Sequence, residues 1–204
     1  MKTLLALLLP IALLAAEPLP PCCRPALAMG QPTDQSLYLL DSKWTSDVGR
    51  EIKLGALRGR PQIVALFFTQ CEYACPILVS ELKTIESKLP PEVLGQVDFL
   101  LGSIDSKRDT PAELTTFRAK RQLTRERWTL LRGEPDDVRE LAALLGVNYA
   151  EDARGQFAHT NLITLLNAEG EIAFQHTGLK QDPALLLAAI EKTTQAIPRP
   201  EPRP

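Results

Sequence analysis

Between residues 62 and 196 the apolar positions alternate between two spacings. Residues 62–68 (Gln-Ile-Val-Ala-Leu-Phe-Phe) form a near-continuous apolar run rich in β-formers, the pattern of a central strand covered on both faces. Leu78, Leu82, Ile85 and Leu89 then recur at helical spacing, which predicts a helix over 77–89 closed by Pro90-Pro91. Residues 97–104 repeat the buried-strand pattern. Thr110-Pro111-Ala112-Glu113 is a capping box with proline at the first helical position, opening a helix to about Arg121. Residues 128–131 read as a short strand and 136–145 as a helix stopped by Gly146. Residues 161–166 and 171–175 flank Asn167-Ala168-Glu169-Gly170, a hairpin signal with glycine where a positive φ is needed. Asp182-Pro183 opens a last helix ending near Thr194. Upstream, 36–40 and 51–54 are strand candidates and 57–61 a turn.

This order predicts an α/β fold with a mixed central sheet flanked by helices, a late β-hairpin and a C-terminal helix. With 204 residues, 45% of them apolar, the chain can bury an ordinary core. One domain is expected over 36–196, with no internal repeat, after a flexible leader at 29–35 and before a disordered proline-rich tail at 197–204. Residues 1–28 read as an export signal. Lys2 is its positive region, residues 4–16 its apolar stretch and Ala26-Leu27-Ala28 its cleavage site. The apolar stretch has 13 residues, short of the roughly 20 that span a bilayer; an uncleaved anchor tethering the protein to the membrane is the lesser alternative. Cleavage would discard Cys22 and Cys23. The expected location is the periplasm or the outer face of the cytoplasmic membrane. A formal net charge of -2 gives no support to nucleic-acid binding.

The candidate chemistry lies in Phe68-Thr69-Gln70-Cys71-Glu72-Tyr73-Ala74-Cys75-Pro76. Cys71 and Cys75 stand at a strand's carboxyl end, where α/β proteins place ligands, and enter a predicted helix four residues apart. That spacing puts both on one helical face, at an N-terminus expected to lower thiol pKa. Such a pair can close a disulfide, hold a soft metal or attack another disulfide. A two-residue spacer and a cis-proline, expected of a general thioredoxin-type reductase, are both missing, and the TxxC of peroxidases is absent too. Asp109 reads as a turn and cap partner of the next helix. His176 reads as a strand-end residue without a metal role, and Trp44, Trp128 and Tyr149 as packing. Arg118, Lys120, Arg121, Arg125 and Arg127 read as a solvated helix face, or a dock for an acidic partner.

Three blocks, in this order, carry a wider resemblance: the cysteine block, Ser103-Ile104-Asp105-Ser106-Lys107-Arg108-Asp109-Thr110-Pro111, and Phe157-Ala158-His159-Thr160 before a strand. Over about 36–194 the chain resembles the SCO/SenC family of copper-binding proteins involved in cytochrome oxidase assembly. The resemblance implies a thioredoxin-like fold and a copper site formed by Cys71, Cys75 and His159; Asp105, at a strand's carboxyl end, reads as a residue that orients or faces that site. Two thiolates suit Cu(I), and an added imidazole can also hold Cu(II). The implied function is a monomeric copper metallochaperone serving an apo cytochrome oxidase subunit or another copper-accepting protein. The rivals are a thiol–disulfide oxidoreductase, with Cys71 attacking and Cys75 resolving, and a copper or redox sensor. Glu72-Tyr73, Ala158 and Ser106 depart from the family pattern, which usually has Pro-Asp, aspartate and proline there.

Overall fold

The computed structural model describes residues 31–153 and 155–196. The proposed export signal with Cys22 and Cys23, and the proline-rich tail, lie outside the described residues. The main sheet has seven strands. In chain order β1 is Trp44–Ser46, β2 Glu51–Ile52, β3 Gln62–Phe67, β4 Asp98–Ser103, β5 Trp128–Gly133, β8 Leu162–Leu166 and β9 Ile172–Thr177. The spatial order is β2-β1-β5-β4-β3-β8-β9. Between β5 and β8 the chain makes a separate two-stranded sheet from β6, Tyr149–Glu151, and β7, Phe157–His159. The helices are α1, Ala74–Lys88; α2, Pro91–Leu94; α3, Pro111–Arg121; α4, Pro135–Leu145; and α5, Ala184–Gln195.

The parallel centre follows from the two most apolar runs. β3 and β4 are buried at every position and pair in parallel from Gln62↔Asp98 to Phe67↔Ser103. Parallel neighbours need a crossover that covers the sheet, and α1 provides it with Leu78, Leu82 and Ile85 buried against the strands. β5 pairs in parallel with β4, the return being made by α3. The Lys83 ammonium of α1 donates to the Arg121 carbonyl of α3 at 3.2 Å, joining the two crossovers. Phe99 and Trp128 stack at 4.5 Å between ring centroids across β4 and β5. β8 runs antiparallel to β3, so its start lies at the end of the sheet where β3 and β4 finish.

The expected mixed sheet, its helices and the late hairpin are all present, with α3 capped as its sequence predicts. Thr110 Oγ1 accepts from the Glu113 N–H at 3.3 Å. In the hairpin turn Gly170 has φ +89°, and a Cβ there would run into the Tyr38 ring.

Three departures stand out. Residues 36–40 are not a strand: Leu37–Leu39 is a 3-10 turn whose Ser36 hydroxyl accepts from the Tyr38 N–H, an alternative that serine offers the backbone. Trp44–Ser46 is a strand instead, paired antiparallel with β5. The sheet of β6 and β7 was not expected at all. The basic run also differs from a solvated face. Arg118 is buried and ion-paired with Asp47, with Nε to Oδ2 at 2.7 Å, and Arg125 reaches the same carboxylate at 2.9 Å. The Arg127 guanidinium donates to the Leu94 carbonyl.

Candidate metal centre

The site begins where β3 runs out. Phe67 ends the strand and Phe68 follows it, both buried, and the chain turns with the Cys71 N–H donating to the Phe68 carbonyl at 3.3 Å. Helix α1 starts only at Ala74, so Cys71 lies in the turn and Cys75 in the first helical turn. The two do not share a helical face as their spacing suggested. Cys71 acts as a cap: its sulfur accepts from the Cys75 N–H at 3.2 Å, one of the helix-start donors with no partner inside the helix. Pro76 follows at a position where the missing N–H costs nothing. Cys71 is half-buried and Cys75 buried, and both are free thiols.

His159 arrives from the separate sheet. Its Nδ1 lies 3.1 Å from the Thr160 carbonyl. A carbonyl only accepts, so Nδ1 carries the proton and Nε2 keeps its lone pair. That Nε2 sits 3.9 Å from Cys75 Sγ, so the Cys75 thiol is the donor of this contact. The lone pair that would bind a metal therefore faces a sulfur that would bind the same metal. The ring also packs on Phe68, edge to face, at 6.2 Å. Among the described residues, no three His, Cys, Asp or Glu side chains are gathered tightly enough to hold a metal ion as they stand. Cys75 and His159 meet directly, and Cys71 joins them through the Cys75 backbone.

Burial sets the protonation states. It pushes the Cys75 thiol well above its ordinary range; the contact with Cys71 and the charge of Asp109 act in the same direction, and a Phe68 backbone hydrogen bond acts against it. The expected helix-terminus lowering does not prevail at Cys75, because desolvation of the sulfur outweighs it. Burial likewise holds the His159 pKa below 6.5, only partly offset by the Thr160 hydrogen bond. The imidazole is thus neutral at pH 7, in its ligating form.

The block 103–109 braces both arms. Asp109 is fully buried, and its carboxylate accepts from the Thr69 N–H at 3.0 Å, the Thr69 hydroxyl and the Ser103 hydroxyl. Burial raises its pKa, and these hydrogen bonds oppose the rise. Asp109 therefore fixes the turn that presents Cys71, a role its sequence position did not reveal; Thr110 performs the capping. Asp105 does not reach the thiols or His159. It accepts from the Arg108 N–H at 3.1 Å and from Arg108 Nε. Arg108 in turn donates to the Gly155 carbonyl in the β6–β7 loop and lies over the Phe157 ring at 5.7 Å.

Glu72 is exposed beside the site and Tyr73 is 80% exposed. Ala158 is exposed on β7, and His176 stands on edge strand β9 opposite Ile163. Trp44 and Trp128 are buried packing residues as expected, and Tyr149 is half-buried.

The family profile described as SCO1/SenC matches residues 33–195. This chain belongs to the SCO1/SenC family. A SCO1 protein homologue from Bacillus subtilis is 24% identical over 138 residues, covering 66% of this chain and 71% of that protein. Among solved structures, copper-bound ScoI of Arabidopsis thaliana superposes with a TM-score of 0.65 at 18% identity, covering 76% of this chain and 96% of the other. Yeast Sco1 with copper bound gives 0.64 at 20% identity, covering 84% and 90%. At these identities the superpositions establish the thioredoxin-like fold, in accord with the mixed sheet and the SCO/SenC resemblance. Among the described residues, no helix is long and apolar enough to cross a membrane.

Proposed function

We propose that this SCO1/SenC protein is a copper metallochaperone whose copper is held by Cys71, Cys75 and His159. The observation that carries the reading is the contact of the His159 Nε2 lone pair with Cys75 Sγ, beside the second thiol of Cys71. The copper bound in the Arabidopsis and yeast relatives supports the choice of metal. Two sulfurs favour Cu(I), the imidazole extends the site to Cu(II), and octahedral oxygen-seeking cations find nothing suitable. Binding releases the Cys75 proton, since burial keeps that thiol protonated until a metal replaces it. Three protein ligands leave one position open, through which a recipient's ligand can enter before this protein's ligands leave. The recipient is an apo-metalloprotein outside the cytoplasm, the binuclear copper site of a cytochrome oxidase subunit by family resemblance. The protein works in the periplasm or on the outer face of the membrane, after export.

A second reading has one observation in its favour. Cys71 is half-buried and Cys75 buried, both as thiols. That asymmetry is the one a thiol–disulfide oxidoreductase uses, the accessible sulfur attacking and the inner one resolving the mixed disulfide. The discriminating experiment is copper titration of the reduced protein and its variants. The chaperone reading expects one equivalent of Cu(II) with a thiolate charge-transfer band. Cys75→Ser abolishes that band, and His159→Ala weakens Cu(II) binding about 100-fold while Cu(I) binding remains. Absence of copper binding, together with a readily cycled Cys71–Cys75 disulfide, would replace it with the oxidoreductase.

A further inference from the structure

His159 is the donor least secured by the main sheet. It ends β7, a three-residue strand that among the described residues pairs only with β6, through Tyr149↔His159 and Glu151↔Phe157. The base of this hairpin is closed by the Thr160 N–H donating to the Asn148 carbonyl at 2.9 Å. Its far end is a tight loop, in which the Gly155 N–H donates to the Asp152 carbonyl at 2.9 Å and Gly155 takes a φ of +75°. Two charged links join that end to the block 103–109. Lys107 and Glu151 approach at 3.6 Å with 78% and 40% exposed side chains, a separation and exposure at which an ion pair contributes little. The other link is Arg108. Its Nε donates to the buried carboxylate of Asp105, its Nη2 donates to the Gly155 carbonyl, and its guanidinium covers Phe157. Phe157 then packs edge-on against Phe68 at 5.4 Å, and Phe68 against His159.

We infer that Arg108 is a positioning residue for His159, and that it thereby sets how well the site holds Cu(II) relative to Cu(I). The inference rests on the copper reading above. A guanidinium can serve the Asp105 carboxylate and the Gly155 carbonyl at once because its donors fan out in one rigid plane. An ammonium is a single point charge and reaches one of them. With the bridge lost, the far end of the hairpin is released, Phe157 withdraws from Phe68, and His159 loses its fixed approach to Cys75. The thiols are untouched, because their turn is held separately through Asp109 and Thr69. Cu(I), satisfied by two sulfurs, is retained, and Cu(II), which needs the imidazole nitrogen, is not.

The test compares the wild type with Arg108→Ala and Arg108→Lys. Cu(I) and Cu(II) affinities are measured for each, and the His159 ring nitrogens of the copper-free proteins are followed by NMR. The expected result is a Cu(II) affinity lower by about tenfold or more in both variants, with Cu(I) affinity within about twofold. The copper-free wild type shows a His159 Nε2 resonance shifted by the Cys75 thiol, and the variants lose that shift. Equal Cu(II) affinity and unchanged His159 signals in Arg108→Ala would overturn the inference. So would a parallel fall of Cu(I) and Cu(II) in both variants, which marks a general loss of fold, or wild-type behaviour of Arg108→Lys, which shows that charge alone suffices. If the wild type binds no copper, the copper reading fails, and the His159 signals still decide whether Arg108 positions the ring.

Discussion

The two arms of the candidate site are built differently. The cysteine arm leaves β3, buried along its whole length in the middle of a seven-stranded sheet, and its turn is pinned by the fully buried Asp109. The histidine arm is a pair of three-residue strands outside that sheet, with mostly half-buried or exposed residues. It is tied in by Arg108 and a short aromatic chain from Phe157 to Phe68. On the proposed function, that difference separates two tasks, holding a metal and then releasing it. The thiols are preset by the core, while the imidazole is carried by an element whose displacement leaves the core intact.

Asp109→Ala should have the largest effect on this contrast. It strands the Thr69 N–H and hydroxyl and the Ser103 hydroxyl, and should cost about 3 kcal/mol of global stability in urea unfolding. Phe157→Ala removes ring contacts on the other arm and should cost about 1 kcal/mol, with the loss confined to fast-exchanging amides of β6 and β7. A Phe157→Ala penalty as large as that of Asp109→Ala would mean that the hairpin is part of the core, and the contrast would fail.

Much of the cysteine arm was legible in the sequence, and most of the histidine arm was not. Residues 62–68 and 97–104 announce themselves because strands buried on both faces carry polar side chains only near their ends, here Gln62, Asp98 and Ser103. The capping box at Thr110 and the turn at Gly170 depend on neighbouring residues alone, so short patterns suffice. Tyr-Ala-Glu and Phe-Ala-His are too short and too exposed to show a period, and only the resemblance around Phe157-Ala158-His159-Thr160 pointed to a ligand there. The Asp109 role was hidden for another reason: its partner Thr69 is forty residues away, and only the parallel pairing of β3 with β4 brings them together. The capping function of Cys71 was hidden because the spacing of two cysteines does not say where a helix begins.

A smaller effect concerns pH. The His159 pKa is held below 6.5, so folding favours the neutral ring. Its contribution to stability is complete above pH 6.5 and is lost as the pH falls through the lowered value. Asp109 has the opposite sign, since its raised pKa favours the folded state as acid is added. The difference between wild type and His159→Ala isolates the histidine. The wild type should lose stability relative to the variant on going from pH 7 to pH 5. A constant difference would show that the ring is not held neutral by burial. The smallest effect is expected at the rim. Tyr73→Ala removes a side chain that is 80% exposed and should alter stability by less than about 0.5 kcal/mol. A larger loss would assign this rim residue a packing role in the cysteine arm.

On the proposed function both arms meet on one copper ion, and X-ray absorption at the copper edge of the loaded protein decides whether they do. Two sulfur neighbours and an imidazole nitrogen around Cu(II), with the nitrogen's outer-shell imidazole signal gone in His159→Ala, is the result predicted. A sulfur-only shell, or an imidazole signal that survives His159→Ala, would contradict it.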